Sequence, residues 1–298
     1  MGGPRPCGGG PGGFAGYALN TRLSAAGLRF AMSAEQFPFL VVPGAPPEIV
    51  VYDQATSCPY LPDRVARMPL RLPCRRLRRS EVDERLATGD RRQGFVLYRT
   101  LCPACRACEP IRLRVDHVQL SRSQRRTLCR GDRELTTTLG APIVDERRVE
   151  LYNLHKLGRD LSDGHPPITR EAYEDFLVNS CCDSLELRIS QGSELVGVAI
   201  LDRGRTSLSA VYCCYDPRWS RFGIGTYAIL KELELCRRLG ARHLYLGLFI
   251  ADCRAMQYKA RFTPHERLTD GRWQRFTRSD ARRPDRPDCG GSYPLDSR

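Results

Sequence analysis

The 298-residue chain lacks any run of about twenty apolar residues, so no segment reads as a membrane span. Met1 to Gly16 is rich in Gly and Pro and has no apolar stretch of the kind a secretory signal needs. The Met-Gly start is not completed by a myristoylation motif around Cys7. No internal repeat is visible. No Ser-His-Asp set suggests itself. These absences leave a soluble, cytoplasmic protein as the expectation. In that compartment 14 Cys are expected to be reduced thiols, metal ligands or core residues, not a disulfide frame.

What the chain has in excess is positive charge. The formal net charge is +13, and hydrophobic residues at 41% still allow a sizeable core. Residues 1–34 carry +3 and residues 277–298 carry +1, so residues 35–276 hold the remaining +9. Both terminal segments are expected to be disordered, and Met32 is an alternative translation start. A basic folded region favours a polyanionic partner, nucleic acid first. The stretch from Arg64 to Arg92 is dense in Arg, and Arg122, Arg125, Arg126, Arg130 and Arg133 follow. Arg suits phosphate recognition, although a solvated charged face is the plainer reading.

The pattern becomes regular after residues 145–150. Helical spacing covers Val149 to Leu157 and Glu171 to Leu177, with Thr169 placed to cap the second. Leu185–Ser190 and Leu195–Leu201 read as strands of a hairpin turning at Gln191-Gly-Ser-Glu194. A strand over Ser207–Tyr215 ends at Asp216-Pro217. Then come Gly223 and Gly225, a helix over Thr226–Leu239 that Gly240 can close, and an apolar strand over His243–Ile250. This predicts an α+β chain with residues 35–148 as a Cys/Arg-rich N-terminal domain and 149–276 as an α/β domain around a central mixed sheet.

Three constellations carry chemistry. In Leu208-Ser-Ala-Val-Tyr-Cys-Cys-Tyr-Asp-Pro217, strand alternation puts Ser209, Val211 and Cys213 on one face and Ala210, Tyr212 and Cys214 on the other. Tyr212 offers a phenol, and Asp216 either orients an amine or caps the turn. Gly223, Gly225 and Thr226 open a helix whose bare N–H groups can receive an anionic or carbonyl oxygen. In Leu246 to Glu266, Asp252 stands just past a strand end, a usual place for function in open sheets, with Met256, Tyr258 and Lys259 on the following turn. Asp252 there either accepts a proton from an attacking amine or caps a helix. In Cys102-Pro-Ala-Cys-Arg-Ala-Cys108 the two-residue spacers let three thiolates converge, and Cys58 supplies a fourth ligand; reduced structural thiols are the alternative.

With Cys58-Pro-Tyr-Leu-Pro62 and Ser121-Arg-Ser-Gln-Arg-Arg126 upstream, these stretches resemble the bacterial aminoacyl-tRNA–protein transferases, in particular the aspartate/glutamate leucyltransferase branch related to eukaryotic arginyltransferases. The likeness runs from about Phe37 to Phe276. It implies an acetyltransferase-like (GNAT-type) second domain and a reaction in which leucine, or alternatively arginine, passes from charged tRNA to a protein N-terminal Asp or Glu, marking it for degradation. It implies Asp252 and Tyr212 as catalytic residues. Ser209, Asp216, Gly223, Gly225, Thr226, Met256, Tyr258, Lys259 and Glu266 become substrate contacts, and Ser121, Gln124, Arg125 and Arg126 tRNA contacts. The chemistry requires no cofactor, while the relatives' metal or iron–sulfur binding extends to Cys58, Cys102, Cys105 and Cys108 as ligands for zinc or a cluster. Two departures stand out: Arg159-Asp160 where relatives carry Arg-His, and Gly247-Leu248-Phe249 where they carry Gly-Tyr-Tyr or Gly-Tyr-Trp. The competing readings are a CoA-dependent N-acetyltransferase and a metal-bearing RNA-binding protein without catalysis.

Overall fold

A computed structural model of the chain describes residues 41–280 apart from residue 163; residues 1–34, Met32 among them, and the tail beyond residue 280 lie outside the described residues. Along the chain come β1 (Val41–Val42), β2 (Glu48–Tyr52), β3 (Ala55–Ser57), β4 (Val65–Arg67), β5 (Leu70–Pro73), α1 (Arg79–Ala87), β6 (Arg91–Gln93), β7 (Val96–Tyr98) and β8 (Glu109–Arg114). There follow α2 (Arg122–Glu134), β9 (Thr136–Gly140), α3 (Glu146–Gly158), α4 (Arg170–Tyr173) running into a π-helical turn Glu174–Val178, β10 (Ser184–Gln191), β11 (Glu194–Arg203) and β12 (Ser207–Tyr215). A 3-10 turn Pro217–Phe222 leads to α5 (Ile224–Leu239), β13 (His243–Phe249), α6 (Arg254–Gln257), a 3-10 turn Tyr258–Arg261, β14 (His265–Thr269) and β15 (Arg272–Phe276).

The strands form an eight-stranded sheet in the order β15-β14-β8-β13-β12-β11-β10-β9, a five-stranded sheet in the order β1-β2-β5-β7-β6, and a β3-β4 ribbon. The large sheet is mixed because β12 and β13 run parallel while its other neighbours are antiparallel. It draws β8 and β9 from before residue 149, so the expected boundary at 148 falls inside this sheet. The expected tail begins late as well: Thr277 bonds Asp280 to make a capped turn.

The local reasons for these elements are chemical. Asp145 accepts from the Arg148 N–H and starts α3, Thr169 accepts from Ala172 and starts α4, and Gly240 (φ +67°) closes α5 in the left-handed conformation that a side chain disfavours. Successive residues of β11 feed opposite layers. Ala199 and Leu201 pack with Ile224, Ala228 and Leu233 of α5, while Val198 and Ile200 pack with Leu151 and Tyr152 of α3. A bulge disturbs the same alternation on β12, where Ile200 faces Tyr212 but Leu201 faces Ala210. Tyr212 and Cys214 consequently join Val211 on the α3 side, and Cys213 moves to the α5 side with Ala210. The simple alternation expected for Val211 to Cys214 therefore fails by one residue.

Ion pairs lock the two sheets together. Arg92 on β6 bonds Asp202 on β11 at 2.7 Å, both side chains almost fully buried. Burying one charge without its partner is expensive, since water no longer solvates it. Arg92→Met is expected to cost about 3–5 kcal/mol because it strands the Asp202 carboxylate. Urea denaturation checks this; a loss below about 1 kcal/mol would show that Asp202 is neutralised by other means.

Candidate active site where two parallel strands part

The β12–β13 pairing consists of Ser207 with His243, Leu208 with Leu244 and Ser209 with Tyr245, and goes no further. Beyond it β12 continues against β11 to Tyr215 and β13 continues against β8 to Phe249. The two parallel strands therefore part, and β13 kinks at Gly247, whose φ of +86° few side chains adopt. A parted sheet leaves carbonyls that need partners. Two cations supply them. Arg91 reaches over from β6, with Nη2 donating to the Ala210 carbonyl at 3.1 Å and Nη1 to Ser209 Oγ at 3.4 Å. Lys259 Nζ donates to the Leu248 carbonyl at 2.7 Å and lies 3.2 Å from Met256 Sδ. Burial, with Arg91 close by, pulls the Lys259 amine down to about 7. Ser209, Met256 and Lys259 are thus brought together as expected, and Arg91 is the member that sequence reading placed on a phosphate-binding surface instead.

On the α3 side Tyr212 stacks on Tyr152 with ring centroids 5.2 Å apart and meets Phe176 edge-on. Burial lifts the Tyr212 phenol well above its usual range, so it stays neutral. His155 of α3 touches the Tyr215 ring at 4.6 Å; burial holds its imidazole down at about 4, and its Nδ1 has no hydrogen-bond partner. Arg159 donates to the Tyr215 hydroxyl at 2.8 Å. On the α5 side the half-buried Tyr258 shares its surroundings with Cys213, and fully buried Glu232 has its carboxyl raised to about 8 by desolvation. His155 and Glu232 had no signal in the sequence beyond helical spacing. Arg91 did have one: it stands in a strand-length segment with a Gly94 turn, where at least one side chain must face inward.

The remaining expected residues lie on the surrounding turns, helix and strands. Asp252 is exposed on the turn between β13 and α6. Asp216 is buried and committed, capping the Arg218 N–H at 2.9 Å and bonding the Arg218 guanidinium, which holds its carboxyl below the ordinary range. These bonds fix the turn. Gly223 (φ +64°) does end that turn and open α5, with Gly225 and Thr226 in the first helical turn as expected. Glu266 sits on β14, across β8 from β13, and bonds Arg112 at 2.7 Å, outside the wedge.

Ser121 and Gln124 form a reciprocal cap at the start of α2, and Gln124 also donates to the Arg261 carbonyl. Their polar groups are used in holding the helix, while Arg122, Arg125, Arg126, Arg130 and Arg133 of the same helix are exposed. By contrast the Arg64–Arg92 stretch is spent internally: Arg67, Arg71, Arg75, Arg79, Arg85 and Arg92 each hold a carboxylate. Next to α2 runs a groove of about 690 Å³ lined in part by Arg125, Arg275, Arg278 and Thr277.

Cys58, Cys102, Cys105 and Cys108 do gather in one apolar cluster, joined by Cys253 from beyond β13. Desolvation and the neighbouring thiols push the Cys108 thiol up to about 12. Among the described residues no group of three His, Cys, Asp or Glu side chains is arranged to hold a metal ion.

Comparison with known proteins places this geometry. Residues 56–126 match the family described as arginine-tRNA-protein transferase, N terminus, and residues 147–269 the corresponding C terminus. The chain is 39% identical over 228 residues to the aspartate/glutamate leucyltransferase of Marinobacter nauticus, covering 74% of this chain and 93% of that one. It is 34% identical over 231 residues to the protein of the same name from Pseudoalteromonas atlantica, covering 76% and 97%. Among solved structures, L-PGS from Bacillus licheniformis aligns at 12% identity and a TM-score of 0.40 over 57% of this chain and 58% of that one. FemX aligns at 10% identity and a TM-score of 0.38 over 70% and 79%.

Proposed function

The chain belongs to the aspartate/glutamate leucyltransferase family of aminoacyl-tRNA–protein transferases, and on that premise we propose that it passes leucine from leucyl-tRNA to the N-terminal Asp or Glu of acceptor proteins. The single observation that carries the reading is the likeness to leucyltransferases over nearly their whole length. A parallel strand pair that parts beside a glycine-opened helix supports an acetyltransferase-like arrangement of the second half. A CoA-dependent acetyltransferase is the weaker reading, because Arg221-Phe-Gly-Ile-Gly225 is only a partial pyrophosphate loop and Arg221 lies over the Trp219 and Phe222 rings.

In this reading the leucyl ester enters the wedge. An aminoacyl ester is already activated, so transfer needs alignment of the α-amine with the carbonyl, loss of a proton and a place for the oxyanion. The N–H groups of Gly225 and Thr226 belong to the unsatisfied first turn of α5 and suit that oxygen. Asp252 takes the proton at the mouth. The cysteines act as thiols in a packed cluster.

Purified protein stripped of metal with a chelator is expected to move radiolabelled leucine from its tRNA to a peptide beginning with Asp or Glu. Label arriving from arginyl-tRNA alone, from acetyl-CoA, or only after metal is restored would each overturn a part of this reading. Asp252→Asn is expected to lower kcat by about a hundredfold or more; an unchanged rate removes Asp252 from the chemistry. The exposed face of α2 is the proposed tRNA surface, so Arg125→Glu with Arg126→Glu is expected to raise KM for leucyl-tRNA about tenfold and flatten its salt dependence. An unchanged KM would place the tRNA elsewhere.

A further inference from the structure

Among the described residues five cationic side chains are buried: Arg91, Arg92, Arg148, Lys259 and Arg267. Three hold carboxylates, Arg92 with Asp202, Arg148 with Glu186 and Arg267 with Glu109. Arg91 and Lys259 take part in no ion pair of the described residues; their hydrogen bonds go to carbonyls, a serine hydroxyl, the Tyr98 phenol and a thioether. They also converge. A Cβ at Gly247 would stand 2.9 Å from Arg91 Nη2 and 3.5 Å from Lys259 Nζ, so the bare glycine leaves both charges facing one spot. Holding a guanidinium and an ammonium together out of water is costly, so the charged form of Lys259 is favoured where an anion completes the site. The large buried carboxylates nearby cannot supply that anion, since Glu48, Asp90 and Asp202 are each held by another arginine.

We propose that Arg91 and Lys259, meeting at Gly247 where β12 and β13 part, bind the side-chain carboxylate of the acceptor's N-terminal Asp or Glu. This rests on the leucyltransferase reading and identifies the groups that select the acceptor. In the acceptor's first residue the α-amine and the carboxylate-bearing side chain branch from the same Cα. Fixing the carboxylate at the cation pair therefore presents the amine to an ester held in the wedge. Arg91 gives directional donors, and Lys259 on its flexible stem follows the one-methylene difference between Asp and Glu. A phosphodiester is the less suitable occupant, because both cations are more than nine-tenths buried while the arginines of α2 stand exposed for phosphates.

The test uses the full chain, leucyl-tRNA, and peptides that differ only in Asp, Glu, Asn or Gln at the first position. Wild type is expected to prefer Asp over Asn. Lys259→Met is expected to lower kcat/KM for the Asp peptide about 10- to 100-fold, chiefly through KM, and to shrink the Asp-over-Asn preference, with KM for leucyl-tRNA unchanged. Lys259→Arg is expected to keep the preference. Should Lys259→Met fail to fold, judged by circular dichroism, Arg91→Lys gives the same comparison with the charge kept and the fork lost. An undiminished Asp-over-Asn preference in the folded variant, or a rise in KM for leucyl-tRNA instead of the peptide, overturns the assignment. Wild type that transfers no leucine to the Asp peptide at all sinks the functional reading itself, a separate outcome.

Discussion

The parting of β12 and β13 is the constraint on which the rest of the molecule depends. A sheet interior can open only if the backbone groups it exposes find other partners. Here the Ala210 and Leu248 carbonyls, one on each strand, are taken by Arg91 and Lys259. One cation comes from the small N-terminal sheet and the other from the turn after β13. The opening therefore exists only when both halves of the chain are docked, which is why the Arg92–Asp202 pair beside it matters beyond its own energy. A cleft that doubles as a joint between two units brings polar groups from each to one place.

Arginine does three different jobs in this protein, and burial decides which. The arginines of the Arg64–Arg92 stretch are mostly paired with carboxylates and act as internal ties. Those along α2 remain in water, where a guanidinium can meet phosphate without first losing a partner. Arg91 is buried without a carboxylate and is the one whose charge is left to be answered from outside. A run of arginines in the sequence is thus a poor guide to where a polyanion sits, because many of them are paired with carboxylates within the fold.

Elements whose signals are local were legible in the sequence. β12 spans Ser207–Tyr215 as expected, the hairpin turns at Gly192, and Thr169 and Gly240 cap their helices. The β12 bulge was not, because it depends on how Ile200 and Leu201 pair across the strand, and it reversed the faces of Tyr212 and Cys213. The structure brings Met256 and Lys259, neighbours in sequence, together in the wedge, while Asp216 and Glu266 are engaged by arginine partners that spacing does not reveal, and Arg91 is placed by a contact 118 residues away. The cysteines were rightly grouped, but their spacing carries no information on whether the thiols are charged.

The position of β8 has a consequence for how the molecule comes into being. This strand lies between β13 and β14, so both of its edges pair with residues synthesised well over a hundred positions later, as in the Arg112–Glu266 bond that spans 154 residues. During translation β8 therefore waits with two unpaired edges while the β10–β12 meander, whose contacts are local, assembles downstream. The half of the sheet that contains the wedge closes last, when the strands near the C-terminus leave the ribosome. A nascent chain interrupted before β14 would carry every residue of α2 and β12 and still present an open strand edge to its neighbours, which makes truncated products of this protein candidates for aggregation and not for partial activity.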